Sequence, residues 1–294
     1  MSYSWMLAFL HRVLSRFTSL TSFLIARSKS DHNLPLMLDG RFFLTVSLSI
    51  AAGAQVSAPV LAIEQTKNSP KVIIASAHNR PPYIIEDDKQ GLELAIIRQA
   101  FKVVGVEVDF RFSSRKRQHL SFEQHKVDAV MTMSSHLSVS SYWSQPYITY
   151  QNVAISLASR QFHIDRLAQL RDFRLTSFLN ASKTLGPEFL QMASEHLSYM
   201  EISPQHRQNR MLYLDRVDVV IADKYVFQHL NTLINDEVDT SPELAFDHVI
   251  ANKGYHVLFH DERLRDSFDK GLSLIKQNGV YQQLTDRYLG HYRH

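Results

Sequence analysis

A few side chains in this sequence combine reactive chemistry with a position from which to use it. Asp223 closes the apolar run Val217–Ala222 and precedes a helical pattern, so its carboxylate contacts a ligand or caps the helix. Arg115-Lys116-Arg117 is the densest basic cluster; Arg117 within it suits an anion, or else forms a solvated helix end. Tyr83 follows Pro81-Pro82 and either stacks on a ligand or packs over a sheet edge. Ser134 and Ser135 end another apolar run, offering hydroxyls and amides to a cleft or to the next turn. Asn180 and Ser182 stand at the mouth of a helix, where free backbone amides attract anions and side chains cap. Asp128 and Asp218 read as structural.

Other chemistries lack their residues. The chain has no cysteine, which removes disulfides, thiolate metal sites, cysteine nucleophiles and a lipid-anchoring cysteine together. Fifteen histidines include His256, His260, His291 and His294 near the C-terminus, but none pairs at helical i, i+4 spacing around an acid, so no metal is expected. No nucleophile elbow, phosphate loop or dinucleotide fingerprint is present, and Glu86, Asp87 and Asp88 read as a hydrophilic loop tip. No cofactor is expected, and no catalytic motif points to an enzyme. A net charge of +3, with both signs interspersed and no basic stripe alternating with aromatics, gives no reason to expect a nucleic-acid partner.

The elements that must position these residues begin late. From Met37 the chain reads as a secretory signal: Arg41, an apolar stretch Phe42–Ala54, then small residues to Ala58 or Ala62, where cleavage is expected. The stretch of about 13 residues is shorter than the roughly 20 that span a bilayer. Residues 1–36 read as an overextended start or an amphipathic leader, and residues 1–62 are set apart from the fold.

Thereafter β and α patterns alternate. Lys71–Ser76 is a strand; Asn79–Tyr83 is held extended by its prolines; Gly91 opens a helix with Leu94, Ile97, Phe101 and Val104 on one stripe, ended by Gly105. Val106–Phe112 alternates as a strand, Lys116–His125 is a helix and Val127–Met133 a strand. After the turn at Trp143–Tyr147 the order restarts: strands at Val153–Leu157, Phe173–Phe178, Tyr199–Ile202 and Val217–Ala222, with a helix from Asn180 to about His196. Strands at His248–Ala251 and Tyr255–Phe259 and helices Asp261–Lys276 and Val280–Leu289 complete the chain. Two successive α/β units of similar size, each an open sheet flanked by helices, are expected.

Five stretches in order resemble the bacterial extracellular solute-binding proteins of family 3, the amino-acid-type receptors of ABC importers. They are Arg80-Pro81-Pro82-Tyr83 with Gly91; Lys126-Val127-Asp128-Ala129-Val130; Trp143-Ser144-Gln145-Pro146-Tyr147; Arg216–Asp223; and Asn278-Gly279-Val280-Tyr281 through Tyr288-Leu289-Gly290. The resemblance implies a two-lobed, type II periplasmic-binding-protein fold with a two-strand hinge near Ala154–Ser159 and Phe246–Ala251. Lobe one would be 63–158 with 248–294, and lobe two 159–247. It implies a periplasmic, monomeric protein that closes on a small polar solute and works with an inner-membrane permease or a sensor partner. Asp223 matches the acid that accepts hydrogen bonds from a ligand amino group, and Arg117 stands where divergent members keep an arginine. Two departures bear on amino-acid recognition: Leu137 replaces the carboxylate-clamping arginine and Ala95 replaces a second acid. Alternatives on the same scaffold are a sensing module uncoupled from transport and a periplasmic dehydratase, with Asp223 or Glu93 as its acid.

Overall fold

The structure, a computed structural model, describes residues 71–134 and 141–292, all within one compact unit, Glu64–His294. The leader reading of residues 1–62 and the positions of Ser135, Leu137 and His294 lie outside the described residues.

Two sheets organise the chain. The first contains β1 (Lys71–Ser76), β2 (Glu107–Phe112), β3 (Ala129–Met133), β4 (Tyr142–Trp143), β5 (Ile148–Tyr150) and β11 (Lys253–Phe259). Its order is β2-β1-β3-β11-β4, with β5 paired to the other end of β11. β1 runs parallel to β2 and β3, whereas β11 returns antiparallel. The second contains β6 (Asn152–Leu157), β7 (Leu175–Phe178), β8 (Met200–Ile202), β9 (Val219–Asp223) and β10 (Leu244–Asp247), in the order β10-β6-β9-β7-β8. The chain crosses from first to second sheet between Tyr150 and Asn152 and returns between Asp247 and Lys253. Asn152–Leu157, placed by the sequence reading with the first lobe, thus pairs in the second sheet, where Asn152 stands opposite Asp223.

The helices are α1 (Leu92–Lys102), α2 (Arg115–Glu123), α3 (Ala181–Thr184), α4 (Pro187–Glu195), α5 (His206–Tyr213), α6 (Lys224–Asn231), α7 (Glu262–Gln277) and α8 (Val280–Leu289). Leu94, Ile97 and Phe101 of α1 are fully buried in one cluster with Phe259, Phe268 and Ile275. Apolar side chains cover both faces of the second sheet: Leu175, Val219 and Ile221 with Phe189 and Met192 on one, and Val153, Ile155 and Val220 with Leu212 and Phe227 on the other. No helix among the described residues is long and apolar enough to cross a membrane.

Three local expectations change. Arg80–Tyr83 is a turn, not an extended stretch: the amides of Tyr83 and Ile84 both donate to Arg80 O at 3.0 Å, and the fixed φ of proline suits such a turn. The helix expected from Asn180 to His196 breaks at Gly186, whose φ of 106° no helix accommodates, and restarts at Pro187. The expected strand His248–Ala251 is irregular. Pairing occurs instead at Leu244–Asp247, while Ile250 is buried in the second core from a loop.

One glycine sets the geometry of the turn that carries Tyr83. Gly91 has φ 113°, and a Cβ there would lie 2.3 Å from Tyr83 O, while the amides of Leu92 and Glu93 donate to Pro82 O and Tyr83 O. Gly91→Ala is expected to destabilise the fold by about 2–4 kcal/mol through strain and overlap. Gly290→Ala, with open space around its Cβ, should stay within about 0.5 kcal/mol. Urea unfolding of both variants checks the contrast.

Candidate functional site

A cavity of about 720 Å³ lies where residues of the two sheets approach one another. Two buried carboxylates and the groups that satisfy them hold its walls. Asp223 is 4% exposed at the end of β9. Its Oδ1 accepts the amides of Tyr225 and Val226, both at 3.0 Å, which caps α6. Its Oδ2 accepts the Tyr83 hydroxyl at 3.1 Å and the Gln151 amide at 2.7 Å. Burial pushes the Asp223 carboxyl up to about 6, against the four hydrogen bonds that favour its charged form. Burial, then the charge of Asp223, pushes the Tyr83 hydroxyl well above its ordinary range, so it serves as a neutral donor.

Glu93 is the second. It is fully buried in α1 and accepts Thr132 Oγ1 at 2.6 Å and the hydroxyls of Tyr147 and Tyr150. Burial and then Glu93's charge raise both tyrosines well above their ordinary range. Tyr150 passes this connection to the cavity, because Arg80 Nη1 donates to its hydroxyl at 3.2 Å and the Arg80 guanidinium lies 5.5 Å from its ring centroid. Tyr150 and, behind it, Glu93 hold Arg80 above its ordinary value although burial opposes this.

Arg115 opens α2 and is anchored to the end of β3. Its Nη2 donates to Thr132 O at 3.2 Å and its Nη1 to Gln118 Oε1 at 3.0 Å. Burial, then the like charge of Arg80, holds Arg115 below its ordinary value. His119 lines the same wall, and its Nε2 is buried without a hydrogen-bond partner among the described residues.

Of the residues singled out from the sequence, Ser134, Asn180 and Asp223 line the cavity. Tyr83 lies behind it, fully buried, and positions Asp223. Arg117 is exposed and outside the lining. The helical period accounts for this: Arg115, Gln118 and His119 share a face at i, i+3 and i+4, and Arg117 turns away from it. The amides of Asn180 and Ser182, offered above for an anion, are taken by Glu201 Oε2 and Oε1 at 2.6 and 2.8 Å. Sequence reasoning missed Arg80, Arg115, Lys183 and Lys253 in the lining. The signal for two of them was present, since Arg80 abuts the Pro-Pro-Tyr turn and Arg115 belongs to the basic triplet. Among the described residues no group of three or more His, Asp or Glu could hold a metal ion.

The raised Asp223 pKa makes a signed prediction. Between pH 3.8 and about 6 the folded protein holds a proton that the unfolded chain releases, so this residue's contribution to stability falls as pH rises through that window and levels off above it. Asp223→Asn removes the dependence. The wild-type minus variant unfolding free energy should therefore drop by roughly 3 kcal/mol across the window; urea titrations from pH 4 to 8 check it.

Comparison with known proteins agrees with this architecture. No curated protein sequence matches the chain. Among solved structures, a probable extracellular binding protein of an amino-acid ABC transporter from Bacillus subtilis superposes with a TM-score of 0.60 at 17% identity, covering 76% of this chain and 98% of that one. A histidine kinase sensor domain similar to periplasmic binding proteins gives 0.58 at 16%, covering 76% and 98%. The GluR0 ligand-binding core from Nostoc punctiforme, in complex with L-glutamate, gives 0.56 at 15%, covering 74% and 98%. These likenesses establish the fold, that of the type II periplasmic binding proteins. The family model for bacterial extracellular solute-binding proteins, family 3, matches residues 72–291. The chain belongs to the bacterial extracellular solute-binding proteins of family 3.

Proposed function

We propose that this protein is a periplasmic receptor that captures a small polar solute in the cavity between its two sheets and delivers it to an inner-membrane importer. The observation that carries the reading is a cavity lined mostly by polar and charged residues, with walls drawn from both sheets, beside the two points where the chain crosses between them. On this reading the lobes follow the sheets, and short crossovers near Gln151 and between Asp247 and Lys253 are the hinge about which they close. Tyr83, Asp223 and the Gln151 amide form the joint, because their hydrogen bonds tie a first-sheet turn, a second-sheet strand and one crossover together.

The resemblance of the fold to a histidine kinase sensor domain keeps presentation of the solute to a sensor as a second reading. Both readings use the same cavity and differ only in what recognises the closed form.

A thermal-shift panel of amino acids, polyamines, sugars and small carboxylates tests the shared claim. A solute held at a hundred times its dissociation constant should stabilise the fold by about 2.7 kcal/mol. One chemical class is expected to raise the melting temperature and to be recovered unchanged by mass spectrometry. No shift with any class, or turnover of the solute that binds, contradicts the reading.

A further inference from the structure

The charged groups around the cavity differ in what they have left to offer, and this difference, which rests on the receptor reading above, points to the kind of solute. An ionised carboxylate presents about four acceptor positions. Those of Asp223, the sole carboxylate in the cavity lining among the described residues, are all in use by two α6 amides, the Gln151 amide and the Tyr83 hydroxyl. Glu93 lies behind the lining, with both oxygens taken by Tyr147, Tyr150 and Thr132. Among the described residues, no carboxylate in the lining keeps an open position for an incoming ammonium group.

The cations are in the opposite condition. Arg80, Arg115, Lys183 and Lys253 all line the cavity, and among the described residues none of them makes an ion pair. Among the described residues the Arg80 guanidinium gives one hydrogen bond, to a tyrosine hydroxyl, from its several N–H groups. Arg115 spends its bonds on neutral partners, Gln118 Oε1 and backbone carbonyls among them, which fix its position without neutralising its charge. The Nε2 of His119, buried and unpartnered among the described residues, adds a nitrogen that an incoming oxygen atom would satisfy when it carries the proton. Like charges gathered around one cavity repel, and a bound anion removes that cost.

Placement divides the positive charge. Arg80 lies in the turn after β1, Arg115 opens α2 and Lys253 begins β11, all on the first sheet's side, whereas Lys183 sits in α3 beside the second. A molecule held between the sheets would meet cations from both sides. We propose that the solute is a small organic dicarboxylate without an ammonium group, one carboxylate held by Arg80 and Arg115 and the other by Lys183 across the cavity. Guanidinium groups suit this role because their planar N–H pairs match a carboxylate's two oxygens.

Glutarate and L-glutamate provide a direct test, since they share a carbon chain and two carboxylates and differ by one ammonium. Calorimetric titration of the full chain should find glutarate or succinate bound at least tenfold tighter than L-glutamate, L-lysine or inorganic phosphate. Arg115→Gln and Lys183→Gln should each weaken the better dicarboxylate at least tenfold with the circular dichroism spectrum unchanged. Tighter binding of L-glutamate or L-lysine, phosphate matching the dicarboxylates, binding of only some other solute, or affinity that survives both substitutions overturns the proposal and leaves the receptor reading standing. Failure of every solute in the wider panel removes the receptor reading and this proposal with it.

Discussion

The joint at Asp223 is the constraint on which the rest of the structure depends. A carboxylate that is 4% exposed costs several kcal/mol to bury unless donors replace its water. Here the four donors come from three separate places: the first turn of α6, the crossover at Gln151, and Tyr83 in the turn after β1. Satisfying one side chain therefore fixes a second-sheet strand, a helix end and a first-sheet turn relative to each other. Gly91 serves the same end from the other direction, since only a residue without Cβ lets the start of α1 close on the Tyr83 carbonyl.

A consequence follows for the field inside the cavity. Both nearby carboxylates, Asp223 and Glu93, have their oxygens directed to the protein's own donors, so little acceptor capacity remains for a guest. The positive groups are held differently. Tyr150 lies between Glu93 and Arg80, giving one hydroxyl bond to the buried acid and receiving one from the guanidinium. Arg115 is secured by carbonyl oxygens at the end of β3. Charge is kept in place without being cancelled, as the proposed dicarboxylate site requires.

Much of the fold was legible because its elements are periodic and clearly ended. The last helix, between Asn278-Gly279 and Gly290, spans Val280–Leu289 as read, and α7 begins after Asp261, which caps it through Leu264 N. Where reading failed, a local pattern was ambiguous. Leu244–Asp247 is a four-residue edge strand with every residue only half-buried, so no alternation marks it, whereas the more apolar Val249-Ile250 fills the core from a loop. The site was less legible than the fold. Asp223 was visible as an acid between strand and helix, but two of its four donors, the Gln151 amide and the Tyr83 hydroxyl, lie 72 and 140 positions away in sequence. Arg117 was singled out by its place in the family resemblance, and two positions along a helix turn a side chain by about 200°, off the face that Arg115 shares with Gln118 and His119.

Closure of the two sheets' lobes on a solute is the central claim, and the absence of native cysteine makes it accessible to a distance measurement. Glu123→Cys at the end of α2 and Glu188→Cys in α4 are exposed positions on the two sides of the cavity. Spin labels there can be read by double electron–electron resonance, with and without the solute that gives the largest thermal shift. The account predicts a distribution that moves to shorter distance and narrows when the solute is present. An identical distribution in both samples, at concentrations where calorimetry reports saturation, would contradict it.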